Sequence, residues 1–146
     1  MAALMVANGA AAQGMDVVMF FTFWGVNLLR GDKPNPNEQK EKVSLAQRLF
    51  KFLMPKGPKK QALGQLNFGG FGSMMLGKIM KQNNVMDLDE LIQAAIDLDV
   101  KFIVCTMSMS VMGITKRDLV VLPNMEHAGV ATFVQEAAQS EMSMMF

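Results

Sequence analysis

An α/β fold built on parallel strands follows from two segments and from what lies between them. Asp16 to Thr22 (DVVMFFT) and Lys101 to Thr106 (KFIVCT) are continuous apolar runs rich in β-branched and aromatic residues. Runs without polar alternation suit strands covered on both faces, the usual condition in parallel sheets. Helical patterns precede and separate the two runs, so helices alternate with strands.

The elements follow in order. Ala2 to Gln13 is Ala-rich and suits a helix, with Gly14 where a C-terminal glycine belongs. The first strand ends at Phe23-Trp24-Gly25, and Val26 to Arg30 suits a helical turn. GDKPNPN (31–37) is a turn-rich linker with two prolines. Glu38 to Leu53 is helical in pattern, and MPKGPKK (54–60) stops it. The glycine-rich stretch QALGQLNFGGFGSMM then reads as a flexible loop leading into a helix through about Gln82. Asp87 and Glu90 form a capping-box pair, after which Leu88, Leu91, Ile92, Ala95 and Ile96 trace one helical face.

After the second strand, Ser108 or Ser110 suits the cap of a short helix ending at Gly113. Thr115 with Asp118 caps a helical segment containing Leu119. PNMEHAG, which holds the chain's one histidine, His127, reads as a loop. Ala128 to Ser140 is a last helix, and Glu141 to Phe146 suits a closing edge strand. No internal repeat is visible.

The bulk numbers narrow the class. At 146 residues the chain is most simply one domain, 1–146, with 51% hydrophobic and 18% charged residues. A net charge of +1 supplies no field for nucleic acid, so no nucleic-acid partner is expected. One cysteine makes no intrachain disulfide, which fits a reducing compartment. MAALMVANGAAAQGMD has no basic residue before its first acid, so it lacks the start of a secretory signal. VVMFFTFWGVNLL (17–29) falls short of the roughly 20 apolar residues that cross a bilayer, and it contains Asn27. A soluble cytoplasmic protein is the expectation.

Cys105 carries the chemical interest. It falls at the carboxyl end of its strand, where ligands sit in open α/β sheets. A thiol there, facing the start of a helix, meets free N–H groups that favour the thiolate nucleophile. The bland reading stands level with this one, because free cysteine is among the most buried residue types and often only fills space. His127 is a poor partner for it from a loop, and no second thiol exists for a resolving step, which weakens a protease or a redox enzyme. Cys105, Met107 and Met109 alternate, and soft sulfur ligands select Cu(I), so a copper site is conceivable, although methionine is more often adaptable core filler and the 16 methionines read first as that. GGFG (69–72) lacks the spacing of a phosphate loop and reads as a lid. The basic stretch around Lys51, Lys56, Lys59 and Lys60 is either a solvated loop or a dock for an acidic partner or a membrane surface.

FFTFWGVNLLR (20–30), NFGG (67–70), KFIVCTMSMSVMG (101–113) and GVATFVQEA (129–137) together resemble the DsrE/DsrF-like sulfur-relay family, in the branch often labelled peroxiredoxin-like. The resemblance covers nearly the whole chain. It implies a three-layer α/β/α sandwich around a mainly parallel sheet, homo-oligomers, other sulfur-carrier proteins as partners, and a cysteine that carries sulfane sulfur. Cys105 stands at that cysteine's position. The family's first strand has no counterpart ahead of the Ala-rich helix here.

The resulting expectation is a sulfur carrier or sulfurtransferase-like protein that holds sulfur on Cys105 as a persulfide or thiosulfonate and passes it to a partner thiol. Phe23, Trp24 and Asn27 are expected to line the pocket, since they follow the neighbouring strand's carboxyl end. Met107 and Met112 would wall it with apolar surface, and Asn67 to Gly70 would lie over it. The reading calls for no cofactor and no resident metal. Its rivals are a non-catalytic oligomeric binding subunit with a structural cysteine, and a Cu(I)-binding Cys/Met protein.

Overall fold

The computed structural model describes residues 1–58 and 71–146. Three parallel strands form its sheet in the order β1 (Val18–Phe21), β2 (Lys101–Cys105), β3 (Met125–Ala128). Register runs from Val18 opposite Lys101 to Phe21 opposite Val104, and from Phe102 opposite Met125 to Cys105 opposite Ala128. β2 is therefore central, and Phe102 to Cys105 are wholly buried, as an unbroken apolar run requires.

Helices lie on both faces. α1 (Ala2–Ala12) and α4 (Leu88–Asp97) pack together, tied by the Asn8 Nδ2 donor to the Leu91 carbonyl at 2.9 Å. Leu4, Leu91, Ile92 and Ala95 from this pair join Phe21, Phe102 and Val104 in one apolar cluster. Phe21 and Phe102 stack with ring centroids 5.6 Å apart, diagonal neighbours on one face. The opposite face meets α6 (Val130–Gln139). There Phe133 packs on Phe20 at 5.2 Å, and Lys101 pairs with Glu136 at 3.3 Å and Glu126 at 3.2 Å. Sheet between helical layers is the α/β/α sandwich expected.

Local signals act where the chemistry predicts. Asp87 accepts from the Glu90 N–H while the Glu90 carboxylate accepts from the Asp87 N–H, starting α4 at Leu88. Gly14 and Gly113 take positive φ just past α1 and α5 (Thr106–Met112). α3 runs Phe71–Gln82, while the loop expected before it lies outside the described residues.

Five expectations need correction. Residues 38–43 are irregular, because a second capping box at Ser44 and Gln47 starts α2 only at Leu45 (Leu45–Leu53). The turn after β1 begins earlier, as a 3-10 helix over Phe23–Leu29. Thr115 and Asp118 do form their reciprocal cap, but on a 3-10 turn, Lys116–Asp118, with Leu119 just beyond it. PNMEHAG is not all loop: Met125–Ala128 is β3, drawn into the sheet by pairing with β2 despite a mixed composition. Glu141–Phe146 forms no strand. Met145 and Phe146 are exposed, with no ladder partner among the described residues.

Candidate functional site

Cys105 is both the last residue of β2 and the N-cap of α5, with no residue between strand and helix. That junction makes Thr106, Met107 and Ser108 the first turn of the helix. Ser108, expected as a possible cap, lies instead at the third helical position, and the thiol occupies the capping place. The N–H groups of the second and third helical residues point back toward an N-cap side chain. Here those are Met107 and Ser108.

Thr22 follows β1 in extended conformation, one step beyond the Phe21–Val104 pair, and so falls beside Cys105. Its hydroxyl lies 2.8 Å from the hydroxyl of wholly buried Ser108. The sulfur closes no cap hydrogen bond of ordinary length, yet four groups face it. Burial pushes the thiol up. The Ser108 hydroxyl, the Ser108 and Met107 N–H groups and the Thr22 hydroxyl outweigh it, so the thiol ionises below its ordinary value.

Cys105 has no exposed surface, at 0%. Residues close to it reach the surface, however. Thr22 to Gly25 after β1, and Thr106 and Met107 after the thiol, are all exposed. A cavity of about 210 Å³ opens nearby between α2 and α5, lined by Gln47, Thr106, Met109 and Ser110 among others, but Cys105 is not on its wall.

The expected pocket residues divide. Phe23 is exposed and holds φ +41°, a left-handed conformation that a bulky aromatic rarely adopts. Trp24 is 64% exposed and leans on Phe50 of α2 with centroids 6.1 Å apart. Met107 is 50% exposed beside the thiol. These three present exposed surface where β1 ends and α5 begins.

Asn27 does not. It is buried, its oxygen accepts from Arg30 Nη1 at 3.0 Å, and its amide points to Met54 Sδ at 3.5 Å. Its side chain is spent on holding Arg30 and the segment after α2. Met112 belongs to the apolar core, at 2% exposure. Asn67 lies outside the described residues. Thr22 and Ser108 were not singled out as site residues, although each had a signal: Thr22 ends the first apolar run as Cys105 nearly ends the second, and Ser108 stands three residues after the thiol.

Register also settles the histidine. His127 pairs with Val104, so it projects to the sheet face opposite Cys105. Burial and Lys116 lower its pKa, against Glu38 raising it. The methionine alternation loses its meaning as well, because residues two apart on a helix project nearly oppositely. Met107 is exposed while Met109 is buried in the core, so they do not converge on Cys105. Among the described residues no three His, Cys, Asp or Glu side chains gather as metal ligands, and no helix is long and apolar enough to cross a membrane.

Comparison with known proteins finds matches over nearly the full length of the chain. The chain is 37% identical over 144 residues to the uncharacterized protein YrkE of Bacillus subtilis (strain 168), covering 99% of this chain and 86% of that one. It is 28% identical over 138 residues to the sulfur carrier protein DsrE2 of Allochromatium vinosum, covering 94% and 84% respectively. The DsrE/DsrF/DrsH-like family model matches residues 1–145, and the chain belongs to that family.

Proposed function

We propose that this protein acts in sulfur relay, with Cys105 as the carrying atom. The observation that supports the reading best is the placement of Cys105 as N-cap of α5 beside the Thr22 and Ser108 hydroxyls. Family membership and the likeness to a sulfur carrier add to it.

The Cys105 thiolate attacks the outer sulfur of a persulfide R–S–SH or of thiosulfate. A Cys105 S–S bond forms, the donor's S–S bond breaks, and RS⁻ or sulfite leaves with the electron pair. An acceptor thiolate then attacks the outer sulfur, and Cys105 departs as thiolate. No net oxidant is consumed. A depressed thiol pKa serves both steps, because it raises the thiolate fraction at a given pH and makes Cys105 a better leaving group. The surrounding donors that favour the Cys105 thiolate also favour the negative charge of a persulfide anion.

Full burial favours a second reading, in which Cys105 is a packed structural thiol of a binding subunit. One experiment separates the two. The protein is incubated with thiosulfate, and separately with polysulfide, and its intact mass is taken beside a Cys105→Ala control. The relay reading expects one added sulfur on the native chain only, removed by reductant. No adduct from either donor, together with no alkylation of the folded protein, makes Cys105 structural.

A further inference from the structure

α2 is inside out. Its polar side faces the protein: the Gln47 amide donates to the Ser110 carbonyl at 2.7 Å, and Lys51 pairs with Asp118 at 2.8 Å. The other side carries Leu45, Leu49, Phe52 and Leu53 into solvent, with Leu45 82% and Phe52 85% exposed. At 100° per residue these four fall on one arc, and Trp24, seated on Phe50, extends the patch. An apolar helix stripe normally faces the core. This one is held outward by specific polar contacts on its back.

The surroundings indicate what it meets. Among the described residues, 38–58 contain five Lys or Arg and two Glu, a net +3 in a chain whose total is +1, and only Lys51 of the five is paired inward, with Asp118. Arg48 and Lys56 belong to this set. Exposed Leu and Phe on one face with basic side chains around them is the pattern of a helix lying in the headgroup layer of an anionic bilayer, its apolar face sunk about 5–10 Å. Nine residues are too few to span, so the helix would lie flat.

We infer that α2 is an interfacial anchor that seats the protein on an anionic lipid surface through Leu45, Leu49, Phe52 and Leu53. The inference does not depend on sulfur chemistry at Cys105. It follows from the outward apolar face and from the concentration of positive charge around it.

The chain is mixed with vesicles of phosphatidylcholine plus phosphatidylglycerol, and with phosphatidylcholine vesicles alone. Co-sedimentation is measured together with the emission of Trp24, the chain's single tryptophan. Binding to the anionic vesicles is expected, with a blue shift in emission and weakening as salt rises. Leu49→Glu with Phe52→Glu should lower that binding by at least about tenfold. Arg48→Glu with Lys56→Glu should remove the preference for anionic lipid. Circular dichroism checks each fold, and Leu45→Gln with Leu53→Gln replaces the first pair if it unfolds. Failure to bind either vesicle overturns the inference, as does undiminished binding by the apolar-face variants. Absence of vesicle binding, with an oligomer in sedimentation velocity that those variants dissolve, assigns the face to a second copy of the chain and overturns it too.

Discussion

Cys105, Thr22 and Ser108 come together because three requirements meet at one junction. The strand ends, the helix starts without a linker, and the neighbouring strand ends one residue earlier, at Phe21 opposite Val104. Each hydroxyl facing the sulfur favours its charged form, so removing one must raise the thiol pKa. Ser108→Ala should move the pH midpoint of Cys105 alkylation upward by roughly 0.7 pH unit, the equivalent of one hydrogen bond of about 1 kcal/mol. Thr22→Val should move it the same way and by less, since the Thr22 contribution ranks below that of Ser108. A rate profile against pH for each variant measures both, and an unchanged midpoint in Ser108→Ala would mean that the serine only packs. The thiol itself was legible in the sequence, as was its strand-end position. Its two hydroxyl neighbours were not, because Thr22 and Ser108 lie 86 residues apart and meet only through strand register.

At the scale of elements, the attachment of α2 rests on a close approach that a glycine permits. Gly113 ends α5 at φ +67°, and a Cβ there would stand 2.5 Å from the Gln47 Cβ. Gly113→Ala therefore suffers twice, from the left-handed backbone and from the clash. We expect a loss of at least about 1–2 kcal/mol from the backbone term, read from a denaturant midpoint. The clash pushes α2 away from α5, so the Gln47–Ser110 bond should open in the same variant, with faster amide exchange in the helix. The capping boxes at Ser44 and Asp87 mark helix starts with local chemistry that sequence reveals. The Ser44 box is hard to see in the sequence because residues 38–43 ahead of it carry a helix-like polar pattern without a cap of their own. β3 was hidden for another reason: its four residues, MEHA, have little strand character, and the β2 ladder holds them in place.

For the molecule as a whole, two half-buried titrating groups predict how stability depends on pH. Asp118 accepts from Lys51, the Thr115 N–H and the Thr115 hydroxyl. Burial raises its pKa, but these partners outweigh it and hold the carboxyl below its ordinary value. A carboxyl so lowered adds stability above its unfolded pKa of about 4, and that stability is lost as pH falls through the folded value. His127 is a base whose folded pKa is also lowered, chiefly by burial. The unfolded chain then binds the extra proton first, so stability begins to fall as pH drops below about 6.5. Thermal unfolding across pH should show both declines. His127→Gln should flatten the upper one, and Asp118→Asn the lower, while Asp118→Asn also costs about 1–2 kcal/mol at neutral pH by loosening the Thr115 cap and the α2 tether. An upper decline that survives His127→Gln would assign it to another group.

The sequence by itself determined the α/β class, the two main strands, the helix caps at Asp87 and Gly113, the family resemblance and the thiol at a strand end. All of these depend on local chemistry or on a continuous stretch of residues, which a linear reading can see. Tertiary structure alone decided that His127 faces away from Cys105, that Asn27 serves Arg30 and Met54, that Thr22 and Ser108 attend the sulfur, and that α2 turns its apolar side outward. Each of those depends on strand register or on which helix face finds polar partners across the fold. A shift of one residue in strand register moves a side chain to the opposite face of the sheet, and one on a helix swings it about 100° around the axis.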